Sequence, residues 1–486
     1  MAVIQPSKEI FPSAILIDER RIVETSGGVH QHIYPGTGLP TVHVPMGAQA
    51  EMDAAVRAAR RASKSWKQMA GDRRRDLMLK FADLLQTHAA ELCMIGTAEN
   101  GIPSAKAGFH HWAAVDSFRY YAGWADKISG EVIPTWPNQG LDYAVHEPYG
   151  VVAIIIPWNA PLALFSATVA PALAAGNTVV VKPSELAPFT ALRFGELMLE
   201  AGFPPGVVNV VPAGPDGGHA LVSHPGVDKI HFTGSGPTAK AILGTARQNL
   251  TPVGLELGGK SARLIFADSD LNAAVRDAVS GATSISGQGC LLGTRVLVEA
   301  KIYDEVVERC KAEMENVILG DPYSAKTQMG PVINAAACER IMAVIERTRQ
   351  EGHARLVTGG ARLGNALAGG YYIQPTLFAD VDNQSPLAQN EVFGPVLSVI
   401  KFDGDDEAVR IANDSQFGLA AYVHTHDVRR AHRMASQLDV GNVWVNGFGF
   451  PASIPFGGVK QSGVGRIGGS QGIHEFTRTK NVWLAL

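Results

Sequence analysis

From residue 150 onward the chain repeats one pattern, a short apolar run followed by a turn and a longer amphipathic stretch. Val151-Val152-Ala153-Ile154-Ile155-Ile156 has no polar position, which suits a strand covered on both faces of a parallel sheet. A helix is expected over 161–175, then strand 178–181, helix 187–201, strand 207–211, a short helix reaching 222, strand 227–232, helix 237–249 and strand 252–257. Strands alternating with helices at this period predict an α/β, doubly wound parallel sheet with right-handed crossovers. Such sheets take ligands at the carboxyl ends of their strands, so the turns at those ends are where the chemistry should lie.

Those turns are polar. The first strand is followed by Pro157-Trp158-Asn159-Ala160-Pro161, the second by Lys182-Pro183-Ser184-Glu185, the fourth by Thr233-Gly234-Ser235-Gly236, and the fifth ends at Glu256 within Leu255-Glu256-Leu257-Gly258-Gly259. Gly234-Ser235-Gly236-Pro237-Thr238-Ala239 fits the loose, Rossmann-like dinucleotide fingerprint and lies between a strand and a helix, where a helix N-terminus faces a diphosphate. Glu256 follows Gly234 by about 20 residues, where that fingerprint expects its ribose-binding acid. A competing reading gives the ribose to Lys182 and Glu185, a donor and an acceptor in one turn, and frees Glu256 for catalysis. Spacing leaves both open. A second match, Gly463-Val464-Gly465-Arg466-Ile467-Gly468, follows no strand and reads as a glycine-rich loop.

Downstream the alternation resumes with helix 271–282, strand 295–298, helix 303–314, strand 396–402, helix 407–413 and strand 420–423, which predicts a second α/β unit. Between its first helix and strand stands Gly287-Gln288-Gly289-Cys290. A cysteine flanked by glycines on a connection is accessible in a way a core cysteine is not, although an inert packing thiol is the commoner case. Asn159 offers a side-chain amide fixed between two prolines, the donor an oxyanion requires. Its alternative is an Asx-turn residue. Ahead of the sheet, amphipathic helices are expected over 51–69 and 72–95, the second carrying Cys93 as a packing residue. His110 and His111 begin a further helical stretch and are structural. A hairpin is expected over 130–146, and His424, His426 and His432 are expected to be solvated.

At 486 residues the chain exceeds one ordinary core. A net charge of −4 without a basic block gives no footprint for nucleic acid. Residues 1–16 do not read as a signal peptide, and no apolar run approaches membrane-spanning length. The four cysteines form no CxxC and no metal site is expected, so a reducing cytoplasm is the expected compartment.

Taken together, Pro157 to Pro161, Lys182 to Glu185, Phe232 to Ser235, Leu255 to Lys260, the segment ending at Cys290, Glu391-Val392-Phe393-Gly394-Pro395-Val396 and Pro455 to Arg466 resemble the aldehyde dehydrogenase superfamily in order and spacing. The resemblance implies a hydrolytic, NAD(P)-dependent enzyme. Cys290 is the nucleophile, the Asn159 amide and the Cys290 N–H hold the oxyanion, and Glu256 activates the water that cleaves the thioester. It implies cofactor contacts at Ile155, Pro157, Trp158, Lys182, Ser184, Glu185, Phe232, Thr233, Gly234, Ser235, Leu257, Glu391 and Phe393. A carboxylate at Glu185 repels a 2′-phosphate and accepts from a 2′-hydroxyl, which favours NAD over NADP. The implied layout is a Rossmann-like NAD-binding domain (1–125 and 147–256), a second α/β catalytic domain (257–465) and a small β oligomerisation element (126–146 and 466–486). The tail strand joins a neighbour's sheet in a homodimer or homotetramer.

Three positions depart from the family pattern. Ile285 stands where many relatives have asparagine, Thr168 where a lysine is frequent, and Ser470 where a glutamate is common. The last two remove a proton path that relatives use in deacylation. Phe109, Trp112, Trp158, Leu162, Leu291 and Phe450 are expected to line an apolar tunnel, hence an apolar or aromatic aldehyde. The alternatives are a CoA-acylating relative, against which Glu256 argues, and an idle binding protein on the same fold.

Overall fold

The computed structural model describes residues 3–485; Met1, Ala2 and Leu486, the last residue of the expected tail strand, lie outside the described residues. Val151–Ile156 forms the middle of an eight-stranded sheet and is buried along its whole length. Its side chains alternate between two cores. Val152, Ile154 and Ile156 pack with helices Gly71–Thr87, Ser104–Ala122, Pro161–Ala174 and Phe189–Ala201. Val151, Ala153 and Ile155 pack with helices Gln49–Gln68, Pro215–Ser223 and Gly236–Ala246. A run with no polar position is thus what a two-sided core demands, each large aliphatic side chain contributing about 1.5–3 kcal/mol on burial.

Strands Thr178–Pro183 and Val208–Val210 lie parallel on one side of Val151–Ile156, and Lys229–Gly234 and Val253–Leu257 on the other. The chain therefore reverses direction across the sheet between Val151–Ile156 and Lys229–Gly234, and in open parallel sheets it is at the carboxyl ends of such a pair that ligands bind. The edges are antiparallel, with Ile15–Ile17 and Arg20–Ile22 at one and Gly463–Val464 at the other.

A seven-stranded sheet runs Arg355–Thr358, Thr376–Ala379, Val396–Phe402, Arg295–Glu299, Ala262–Ile265, Ala420–His424, Asn442–Val445, all parallel except the first. The doubly wound α/β reading and the second α/β unit both hold. Glu131–Ile133, Leu141–Pro148 and Thr477–Leu484 make a separate three-stranded sheet. The tail strand pairs along its length with Leu141–Pro148 of its own chain, and its outer edge is unpaired among the described residues.

Four local expectations need correction. The helix expected over 72–95 is two helices, Gly71–Thr87 and Ala89–Asn100. The break falls at His88, whose Nδ1 is 2.6 Å from the Glu91 carboxylate at the start of the second. His110 and His111 lie inside Ser104–Ala122 rather than at its start, and His111 Nε2 bonds Leu85 O at 2.8 Å. His424 is not solvated. It ends a buried strand with Nε2 2.8 Å from Arg263 Nη1, and burial lowers its pKa to about 4, so the neutral ring accepts from the guanidinium. Gly463 to Gly468 is not only a loop, since Gly463–Val464 extends the first sheet beside Glu256.

Candidate active site

Asn159 leaves the central strand just before Pro161 opens the next helix at its first position, where a missing N–H costs nothing. The buried side chain donates through Nδ2 to Gln288 O at 2.9 Å, reaching from the first sheet to the segment that carries Cys290. That segment is pinned from several sides. Gln288 Nε2 donates to Ile285 O at 3.1 Å, Ile333 N donates to Gln288 Oε1 at 2.9 Å, and Ser286 Oγ donates to Gly330 O at 2.8 Å. Ile285, Ser286 and Gly287 hold φ of 43°, 56° and 72° in succession. Left-handed backbone in a β-branched residue is strained, and such strain persists where the surroundings over-determine it. Gly287 has no alternative, because a Cβ there would lie 2.0 Å from Gly394 O.

Cys290 is free and half-buried. Burial pushes its thiol up to about 12, with the nearby Glu391 and Glu256 carboxylates adding to the effect, while the N–H groups of Cys290 and Leu291 act in the opposite sense. Glu256 is buried, and neither of its carboxylate oxygens has a hydrogen-bond partner. Burial raises its proton affinity well above the usual carboxylate range, Arg466 opposes this and Glu475 reinforces it. Glu391 accepts from Gly259 N at 3.1 Å, and burial lifts it to about 7 against the pull of Lys260 and Arg340. A Cβ on Gly258 would be 2.3 Å from Glu391 Oε2, so that glycine makes room for the carboxylate.

Most of the other predicted residues stand at the carboxyl ends of the first sheet's strands. Lys182 is buried with its Nζ 3.5 Å from Pro183 O, a weak contact for an ammonium, and burial lowers its pKa against the influence of Glu185. Ser184 Oγ lies 3.5 Å from Glu185 Oε2. Thr233 Oγ1 is buried without a partner, and Ser235 Oγ accepts from Thr238 N to cap the next helix. Gly234 is required by close approach, as its Cβ would meet the Phe232 ring at 2.4 Å. An under-partnered ammonium, an orphaned hydroxyl and a helix N-terminus together fit an adenosine and diphosphate group. Asn100 Nδ2 donates to Trp158 O at 3.2 Å, and the Trp158 ring meets Phe393 edge-on at 5.5 Å. Phe393 itself has a φ of 51°. Ile155 and Leu257 pack in the core beneath these turns, and Pro157 directly follows the central strand.

Leu291 and Phe450 join Cys290 in a small cluster with Leu419, Phe456 and Ile467. From there aromatic rings run outward, Phe456 to Phe450 at 5.0 Å and Phe450 to Phe448 at 6.2 Å, reaching exposed surface at Phe448, which also meets Trp444 of the same cluster at 5.2 Å. Tyr422 Oη donates to Leu291 O at 2.9 Å and so braces this wall. Phe109 and Trp112 contact each other, half exposed, on helix Ser104–Ala122. Leu162 does not belong to the lining: it is buried in the helical core. Sequence reasoning gave no role to Trp444, Phe448, Phe456, Arg466 or Lys260. Phe456, Arg466 and Lys260 stood inside quoted motifs, whereas Trp444 and Phe448 carried no signal.

Residues 22–482 match the aldehyde dehydrogenase family. The chain is 43% identical, over 100% of its length, to the mitochondrial aldehyde dehydrogenase family 2 member B4 of Arabidopsis thaliana, covering 90% of that protein. It is 41% identical over 98% of its length to human retinal dehydrogenase 2, covering 92% of it. Its fold matches that of Staphylococcus aureus betaine aldehyde dehydrogenase in complex with NAD+ with a TM-score of 0.96, at 34% identity, over 100% of this chain and 97% of the other. A glycine-flanked cysteine bonded through its own segment to an asparagine amide, with an unpartnered glutamate nearby, is thus part of a likeness that spans both chains, and this protein belongs to the aldehyde dehydrogenase family.

Proposed function

We propose that this chain oxidises an apolar or aromatic aldehyde to its carboxylic acid with NAD as the cofactor, using Cys290, Asn159 and Glu256. The observation that carries the proposal is the Asn159–Gln288 bond, which holds an amide with one hydrogen to spare next to the nucleophile's segment. Cys290 Sγ attacks the carbonyl carbon while the spare Nδ2 hydrogen and the Cys290 N–H receive the developing oxyanion. A thiol held near 12 does not ionise on its own at neutral pH, so its proton leaves as the attack proceeds. Glu256, with its raised proton affinity and two free oxygens, is the acceptor. NAD, when bound, supplies the hydride acceptor. Once Glu256 has passed that first proton to solvent, it takes another from the water that cleaves the thioester on Sγ.

Lys182 and Glu185 would hold the adenosine ribose, Ser184, Thr233 and Ser235 would flank the diphosphate, and Trp158, Glu391 and Phe393 would border the nicotinamide end. The carboxylate at Glu185 disfavours the 2′-phosphate of NADP. The eight-stranded sheet with its helices serves as the NAD-binding unit and the seven-stranded sheet as the catalytic unit. The three-stranded sheet, with a free strand edge and exposed Val132, Trp136 and Trp483, serves to assemble a homodimer or homotetramer. Four free thiols suit a reducing cytoplasm, and no helix among the described residues is long and apolar enough to cross a membrane.

The aromatic run from Phe448 to the Cys290 cluster supports the substrate class. Steady-state assays comparing benzaldehyde, hexanal and betaine aldehyde with either cofactor test it, and a preference for the charged aldehyde overturns that part. For the mechanism, Glu256→Gln is expected to form NADH in a burst and then stall with an acyl adduct on Cys290, seen by intact-protein mass spectrometry. A burst without an adduct would remove Glu256 from water activation and reopen the CoA-acylating alternative.

A further inference from the structure

A second buried carboxylate stands behind Glu256. Gly254 and Glu256 are two apart on strand Val253–Leu257, so their side-chain positions share one face, about 7 Å apart. The space that a side chain on Gly254 would fill is taken by Glu475, whose Oε1 lies 2.0 Å from where the Cβ would be. On its other side Glu475 Oε2 lies 2.5 Å from the Cβ position of Gly465. The Gly465 carbonyl in turn crowds the Cβ position of Gly457 at 2.7 Å, and Glu256 Oε1 lies 2.8 Å from that same position. Glycines at 254, 457 and 465 therefore clear the ground between the two carboxylates.

Other polar groups converge there. Lys229 Nζ is 2.7 Å from Glu475 Oε1, and His231 Nδ1 is 3.8 Å from the same oxygen. His231 sits opposite Gly254 in the sheet register, 1% exposed, with no hydrogen-bond partner at either ring nitrogen. Both oxygens of Glu256 are in the same condition. Buried polar atoms left without a partner are the groups that bridging water satisfies. Arg466 cannot serve as acceptor, since it is cationic and Nη1 is spent on Gly458 O and Gly465 O. Thr168 Oγ1 is spent on Leu164 O and Phe165 O of its own helix, and Ser470 is an exposed hydroxyl. The positions that would carry lysine and glutamate in the family pattern thus hold no proton acceptor.

We propose that Glu475, held by Lys229 with His231 beside it, is a positioning residue that acts through Glu256 by receiving its proton across water during thioester hydrolysis. The inference rests on the hydrolytic reading above. In that step water gives one proton to Glu256 and its hydroxyl to the acyl carbon. The C–S bond breaks, its electron pair goes to sulfur, and sulfur takes the hydroxyl proton as the product leaves as a carboxylate. The proton on Glu256 remains and must leave before the next cycle. Glu475, whose side chain is 9% exposed, is its way toward solvent. The charged or titratable groups facing Glu256 are Cys290 on the nucleophile's segment, Arg466 on the glycine-rich segment and Glu475 on the last helix, while Lys229 and His231 on the adjacent strand face Glu475.

The test uses p-nitrophenyl acetate, which acylates the thiol without cofactor, on the full-length protein. The p-nitrophenol burst reads acylation of Cys290, and decay of the acetyl adduct by mass spectrometry reads hydrolysis. Glu475→Gln is expected to keep the burst and slow adduct decay roughly tenfold, short of the ~10²-fold that loss of a proton-transfer group at the reacting atoms costs. Removing its negative charge also shifts the acid limb of the decay to lower pH. Added imidazole and the conservative Glu475→Asp each restore part of the rate. Should Glu475→Gln not fold because Lys229 is left unpaired, the double variant Lys229→Gln, Glu475→Gln carries no buried lone charge and shows the same slow decay. Wild-type decay with an unmoved acid limb in either folded variant overturns the proposal. Absence of a burst in the unaltered protein would instead overturn the assignment of Cys290 itself.

Discussion

Asn159→Ala separates two roles of one amide. One Nδ2 hydrogen is bonded to Gln288 O at 2.9 Å, and the other is the one proposed to meet the substrate oxyanion. Loss of the second contact removes about 3 kcal/mol of transition-state stabilisation, roughly 10²-fold in the rate of acylation. Loss of the first leaves a buried carbonyl without its donor, a cost of about 1–3 kcal/mol in folding stability. The Cys290 segment should nonetheless keep its place, because Gln288 is still tied to Ile333 N and Ile285 O and Ser286 to Gly330 O. The two terms are therefore measurable apart, the first as the burst rate of NADH formation with benzaldehyde in stopped flow, the second as the urea midpoint. Asn159→Asp, of equal size but without a donor, is expected to match the alanine variant in burst rate. A burst within about threefold of wild type, in a protein whose midpoint has fallen, would mean that the amide only holds Gln288 and never meets the oxyanion.

Cys290→Ala is expected to abolish turnover while leaving NAD affinity by calorimetry unchanged; loss of binding would mean that the thiol shapes the cofactor site. Ile285→Asn places a residue tolerant of left-handed backbone where a β-branched one sits at a φ of 43°, and should stabilise the fold by about 1 kcal/mol in urea. A loss of stability would show that the packing of Ile285 Cδ1 beside Gly289 outweighs the strain. Glu391, pushed up to about 7 by burial, binds its proton more tightly folded than unfolded. Its contribution is therefore full at acid pH and is lost as pH rises from about 4.5 through about 7. Glu391→Gln should flatten that slope in melting temperature against pH, and an unchanged slope would show that Glu391 is ionised throughout.

Local pattern exposed the parts of this protein in which neighbours along the chain decide the outcome. The run Val151 to Ile156 could satisfy six consecutive apolar side chains only between two layers of helices, and the structure supplies both. The polar turns at strand ends were legible because a parallel sheet collects such ends at one edge. The break at His88 was hidden, since apolar spacing continues through it and only the contact of His88 with Glu91 marks it. His424 looked solvated because its sequence neighbours His426 and His432 are, but its own environment is set by Arg263 on an adjacent strand 161 residues away.

For the site, the sequence by itself determined which groups are candidates for the reaction: a cysteine made accessible by glycines, a fixed amide and a carboxylate at the end of a strand. Whether Glu256 serves ribose or reaction was open from spacing, because one strand position can face either side of a crevice. The tertiary structure supports the second reading by packing Glu256 under Gly457, in the field of Cys290 and Arg466. It also decided the proton affinities, which no residue type carries alone. Burial holds the thiol protonated and Glu256 basic, and a glycine at 254 admits a second carboxylate from a helix more than two hundred residues away. The physical reason is the same throughout: chemistry at this site depends on what is excluded from around each polar atom, and exclusion is a property of the packed chain rather than of any stretch of it.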